Sequence, residues 1–168
     1  MSTSRVAGLL VELLEAEGLE YERPESDRFV IVLPGQAKLR TTVSVSLGPQ
    51  ALVINAFVAR HPDENAEAVY RWLLQQNTRL FGIAFALDSL GDIYLVGRIP
   101  VAGLGAADLD RLLGSVLHAS DESFNAILRL GFAGAIRRER AWRESRGEST
   151  ANLEAFADLP PEPGPHEG

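Results

Sequence analysis

Hydrophobic and polar positions alternate in a way that divides the chain into a helix, a run of short strands, a second helix, a hairpin and a long third helix. Val6, Leu9, Leu10, Leu13 and Leu14 recur at helical spacing and predict a first helix over about Ser4 to Glu17. Gly18 is placed to end it through a left-handed cap. Leu19-Glu20-Tyr21-Glu22 alternates, Pro24 through Asp27 supply a turn, and Phe29-Val30-Ile31-Val32-Leu33 is a dense β run closed by Pro34-Gly35. Leu39, Thr41, Val43, Val45 and Leu47 then alternate with Arg40, Thr42, Ser44 and Ser46, the period of a half-buried strand. Gly48-Pro49-Gln50 turns the chain, and Leu52 to Val58 returns as an antiparallel partner. The expected sheet is greasy on one face and carries hydroxyls and Arg40 on the other.

His61-Pro62-Asp63-Glu64 suits a helix start, since proline fits a first turn and acids complement the positive dipole end. The stripe of this second helix is Val69, Tyr70, Leu73, Asn77 and Leu80, with Trp72 near its edge. Ile83 to Asp88 and Ile93 to Ile99 form a hairpin around Ser89-Leu90-Gly91-Asp92. Leu109, Leu112, Leu113, Val116, Leu117, Phe124, Ile127, Leu128 and Phe132 trace one face of a long helix, which polar Ser120-Asp121-Glu122-Ser123 is expected to kink. Residues 1–148 read as a single α+β domain, with 137–148 as an exposed helical extension. Residues 149–168, acidic and ending in repeated prolines, read as a disordered tail.

Composition narrows the chemistry. With 168 residues, 46% hydrophobic, the chain can bury a core without staples. Cysteine is absent, which excludes disulfides, thiol nucleophiles and thiolate metal sites. A formal charge of −7 disfavours attraction to phosphate backbones, so no nucleic-acid partner is expected. No apolar run is long enough to cross a bilayer, and the first residues lack the pattern of an export signal. A cytoplasmic protein with no membrane partner is the expectation.

Candidate reactive groups have plainer explanations. His61, His118 and His166 lie far apart, without the spacing of metal ligands, so no metal or cofactor is expected. Asp88 and Asp92 flank the hairpin turn and are expected to bond local amides. Gly103 and Gly105 precede a helix, but Asp108 stands where a phosphate loop needs glycine. Arg137, Arg138, Arg140, Arg143 and Arg146 form a basic cluster that reads as a solvated helix end paired with Glu139 and Glu144. No catalytic residues are assigned. Val11, Trp72, Phe124 and Trp142, large side chains bordering apolar faces, are the candidates for partner contact.

Several stretches carry a family resemblance. Val69-Tyr70-Arg71-Trp72-Leu73-Leu74-Gln75-Gln76-Asn77, Gly82-Ile83-Ala84-Phe85-Ala86-Leu87-Asp88 and Gly91-Asp92-Ile93-Tyr94-Leu95-Val96-Gly97-Arg98 are similar to the YbjN domain family, in particular its actinobacterial members. Leu109-Asp110-Arg111-Leu112-Leu113-Gly114 and Asp121-Glu122-Ser123-Phe124 continue the likeness. The layout resembles type III secretion chaperones, small acidic α/β proteins that usually work as homodimers. The resemblance implies an antiparallel sheet packed against helices in the order α-β-β-β(-β)-α-β-β-α. It also implies a non-enzymatic, homodimeric module that binds a protein or peptide partner. The alternatives are a regulator of signalling or stress responses that switches partners, or a small-molecule-binding enzyme.

Overall fold

The computed structural model describes residues 2–161. Helix α1 (Ser2–Ala16) precedes four strands, β1 (Glu20–Glu25), β2 (Arg28–Pro34), β3 (Arg40–Leu47) and β4 (Ala51–Ala59). Helix α2 (Ala66–Asn77), the hairpin β5 (Ala84–Leu87) and β6 (Ile93–Pro100), and helices α3 (Ala106–Gly131) and α4 (Ala133–Ser145) follow. A short 3₁₀ helix over Ala151–Phe156 comes last. The strands make one antiparallel sheet in the order β1-β2-β3-β4-β6-β5.

Strand alternation builds the core. Phe29, Ile31, Leu33, Val43, Val45, Leu47, Leu52, Ile54, Ala56, Val58, Ile93 and Leu95 are buried, and in register they share one face. Val6, Leu10 and Leu14 of α1, Val69 and Leu73 of α2, and Leu109, Leu113, Val116 and Ile127 of α3 close over it. Gly18 ends α1 with φ +65°, as its position predicts.

Three points differ from the sequence reading: the end of β1, the start of α2 and the continuity of α3. Strand β1 runs through Pro24 to Glu25, since proline is tolerated on an edge strand and the pairing bulges between Glu22 and Glu25. The segment His61–Glu64 does not start a helix: the amides of Asp63 and Glu64 bond to the carbonyl of Gly131 at 3.0 and 3.2 Å. Helix α2 begins only at Ala66, after Asn65 in the left-handed region at φ 50°. The polar stretch of α3 causes no break, because Ser120 and Ser123 are buried and bonded.

The helical extension is a separate helix, α4, and residues 149–161 are not detached. Leu153 and Phe156 are buried against Ile136, with Leu128 and Leu159 beside them. An apolar pair three residues apart on a 3₁₀ turn supplies the anchor that composition alone concealed. Residues 162–168 of the expected tail, His166 among them, lie outside the described residues.

Candidate protein-interaction surface

An open sheet has two edges, and each presents backbone groups that another strand could pair with. Strand β1 is blunted by Glu20, Glu22, Arg23, Pro24 and Glu25, charged side chains and a residue without an N–H. Strand β5 is closed differently. The Asn77 side chain accepts from the Phe85 amide (Oδ1, 2.7 Å) and donates to the Phe85 carbonyl (Nδ2, 3.2 Å). One carboxamide thus takes the place of a neighbouring strand at that residue.

A second tie fixes the direction of α2 along this edge. The Tyr70 hydroxyl donates to the carbonyl of Gly91 at 3.2 Å. Tyr70 meets residue 91 and Asn77 meets residue 85, so helix and strand run antiparallel. Leu74 lies between the two anchors on the same helical face, four residues after Tyr70 and three before Asn77. It is 67% exposed; Leu87 on β5 is 46% exposed, Leu90 in the hairpin turn 73%, and Phe81 between α2 and β5 77%. The hairpin tip that carries Leu90 is pinned: Asp88 Oδ1 accepts from the amides of Leu90 and Asp92, both at 2.9 Å. Asp92 in turn accepts from the His61 amide at 2.7 Å. Asp88 therefore bonds local amides as expected, whereas Asp92 reaches across to the β4–α2 connection.

The second exposed surface is the sheet face opposite the helices. Thr42, Asn55 and Phe57 sit on central strands yet are exposed, so nothing among the described residues covers them. This face is greasier than the expected hydroxyl face. Val30, Val32, Val53 and Val96 share it with Ser44 and Ser46, and the Phe57 and Tyr94 rings meet edge-on at 5.5 Å and 79°. Cross-strand pairing at Val30–Ser44, Ser46–Val53 and Asn55–Val96 explains the mixture, since β2, β4 and β6 bring valines to the face that β3 lines with hydroxyls.

The four residues singled out from sequence fall on four helices. Val11 of α1 and Trp72 of α2 are half-buried against the core. Phe124 of α3 is half-buried with the Lys38 ammonium 5.6 Å from its ring centre, and burial pushes that ammonium below its ordinary pKa. Trp142 of α4 is 47% exposed, with the Arg146 guanidinium 4.9 Å from the ring. Sequence reasoning passed over Leu74, Phe81, Leu87 and Leu90. The available signal was an apolar residue at the border of the α2 stripe, in step with Tyr70 and Asn77 (Leu74), and another at the centre of a turn (Leu90).

The titratable groups are spread in structural roles. Asp108 caps α3 through the Gly105 amide at 2.9 Å, and His118 pairs with Glu122 at 2.9 Å on an exposed helical turn. Among the described residues no three His, Asp or Glu side chains converge as a metal site, and no helix is long and apolar enough to cross a membrane.

An α+β chain whose helices cover one face of this antiparallel sheet has the type III secretion chaperone-like fold. The solved ExsC–ExsE complex matches with TM-score 0.56 and 22% identity over 74% of this chain and 95% of that one. The HopA1–SchA chaperone–effector complex matches with TM-score 0.52 and 16% identity over 74% and 96%. The chain belongs to the YbjN family, described as "Putative bacterial sensory transduction regulator", whose family model matches residues 7–129. It is 44% identical over 162 residues to the uncharacterised protein Rv0487 of Mycobacterium tuberculosis, across 95% of this chain and 88% of that protein. It is 50% identical over 132 residues to the uncharacterised protein ML2442 of Mycobacterium leprae, across 79% and 72%.

Proposed function

We propose that this protein is a non-catalytic, chaperone-like binding module that acts as a homodimer on a protein partner in the cytoplasm. The observation that carries this reading is the exposure of Leu74 on α2 and of Leu87 and Leu90 on the hairpin that Tyr70 and Asn77 tie to it, with Phe81 exposed in the connection between them. Each of these side chains leaves apolar area in water, at roughly 25 cal/mol per Å² recoverable by a second surface. Exposed apolar surface of this size is the kind that partner binding covers. With both edges blunted, association through side chains is favoured over strand addition.

In this reading the α2–hairpin seam meets its counterpart in a second copy. The partner lies along the uncovered sheet face, where Val30, Val53, Val96 and the Phe57–Tyr94 pair suit the alternate side chains of an extended segment. Val11, Trp72, Phe124 and Trp142 are proposed as further contacts at the borders. The chaperone–effector complex among the solved structures of this fold supports the class of partner. The description carried by the family favours a second reading, a signalling regulator that works by exchanging protein partners.

Light scattering on a sizing column tests the dimer, comparing wild type with Leu74→Glu/Leu90→Glu. The expected result is a dimer mass for wild type and a monomer mass for the variant, which keeps a cooperative melt at a lower, concentration-independent temperature. A wild-type monomer at tens of micromolar, a range typical of weak association, removes the homodimer. Crosslinking in the native host followed by mass spectrometry tests the partner, and recovery of metabolites without proteins removes the binding-module reading.

A further inference from the structure

The α3–α4 junction carries a set of arginines turned toward a peptide rather than toward water. Beyond Gly147, at φ +68°, the chain folds back, and the 3₁₀ turn seats Leu153 and Phe156 against Ile136 and Leu128. Arg129 Nη2 donates to the Ala155 carbonyl at 2.8 Å, and its Nη1 holds both Asp158 oxygens at 2.9 and 2.8 Å. Arg140 donates to the carbonyls of Leu159, at 2.9 Å, and Phe156, and Arg137 Nε donates to that of Pro160 at 2.7 Å. Pro160 and Pro161 carry no N–H, so this end of the segment cannot pair its carbonyls through a regular ladder of its own. Guanidinium groups donate to the Ala155, Leu159 and Pro160 carbonyls, and to that of Phe156 alongside the Leu159 amide at 3.0 Å.

We propose that this α3–α4 groove is a peptide-docking site, filled in the resting protein by the chain's own residues 151–161 and entered by a partner segment of the same pattern that displaces them. The pattern is an apolar residue, an aromatic three positions on, an acid two after that, and then a leucine followed by prolines. Most of the arginine contacts go to main-chain carbonyls, so the groove reads the carbonyls of a 3₁₀-turned backbone together with two apolar anchors and one carboxylate. The turn joining α4 to the segment is short, which holds the resident segment at millimolar effective concentration and keeps weak ligands out. The inference stands on this junction alone and is independent of the chaperone reading above.

The test uses full-length protein and a fluorescent peptide of residues 149–161. Leu153→Ala/Phe156→Ala should release the resident segment, and the freed groove should bind the peptide at least about tenfold tighter than wild type does. Adding Arg140→Ala should remove most of that gain. A released variant that melts cooperatively yet binds no better than wild type overturns the proposal. Should the double variant lose its cooperative melt, Arg137→Ala/Arg140→Ala gives a second route. Chymotryptic cleavage at Phe156 should then speed up several-fold, and unchanged cleavage overturns the proposal as well. A wild-type mass that rises with concentration, and is restored to monomer by Arg140→Ala, would assign the groove to a second copy's tail and overturn the in-chain occupancy.

Discussion

The hydroxyls of Thr41 and Ser120 lie 2.9 Å apart with neither residue exposed, joining β3 to α3 inside a largely apolar core. The pair is asymmetric. Ser120 is helical and can fall back on the carbonyl one turn earlier, whereas Thr41 has its backbone committed to the sheet. Ser120→Ala should therefore cost about 1–3 kcal/mol and Thr41→Val less. The double variant should be more stable than the two losses predict, by about 1 kcal/mol. Urea unfolding of the four proteins measures this, and strictly additive losses would show that the hydroxyls do not act together.

Asn77 closes the β5 edge at Phe85. Asn77→Ala leaves one backbone donor and one acceptor unpaired, at about 1–3 kcal/mol. Amide exchange at Phe85 should accelerate, and the protein should gain a concentration-dependent tendency to pair edge to edge. Unaltered exchange at Phe85 would mean that water serves this edge as well as the carboxamide does.

Glycine positions separate close approach from mere permissiveness. A Cβ built on Gly97 would stand 2.6 Å from the Gly82 carbonyl oxygen, just ahead of β5, and 3.1 Å from Ile83 Cγ2. The obstacle is backbone and cannot rotate away, so Gly97→Ala should destabilise by more than about 2 kcal/mol, as overpacking does. Gly114 on α3 has nothing within 4 Å of such a Cβ, so Gly114→Ala should stabilise by about 0.5–1 kcal/mol. Thermal melts of the two variants should move in opposite directions.

Acid should loosen the C-terminal segment. Hydrogen bonds from Arg129 hold the Asp158 carboxyl below its ordinary value of 3.8. A carboxyl whose pKa falls on docking contributes in full above its free value, and that contribution is lost as pH drops through the lower, docked value. Docking should be constant from neutral pH to about 5 and weaken below about 4. Asp158→Asn should remove this dependence and loosen the segment at neutral pH. Methyl NMR signals of Leu153 report both effects, and identical titrations of the two proteins would contradict the role given to Arg129.

The sheet was legible because its strands keep a period of two, and the core residues of β2, β3 and β4 follow directly from it. Gly18 and the local bonds of Asp88 were readable for the same reason, since each is decided within a few residues. What escaped is long-range. The polar run around Asp121 predicts a kink, yet Asp121 Oδ1 accepts from the amides of Gln36, Ala37 and Lys38 at 2.8–2.9 Å, gathering the β2–β3 loop onto α3. The break after Gly131 arises where a Cβ would meet Pro62 and Val69 at 3.0 Å, residues some sixty positions earlier in the chain. The apolar seam at Leu74 was hidden because its meaning depends on where α2 lies against β5. The candidates Val11 and Trp72 pack in part against the core and keep part of their surface outside it.

The sheet order has a bearing on how the molecule comes into being. β1 through β4 are neighbours in sequence and in space, so this meander closes through short loops and can fold early. Leu52 on β4 must then wait for Ile99 on β6, which is synthesised only after α2 and β5 have emerged. Throughout that interval the nascent chain carries a bare β4 flank, its most vulnerable moment for mispairing on the ribosome.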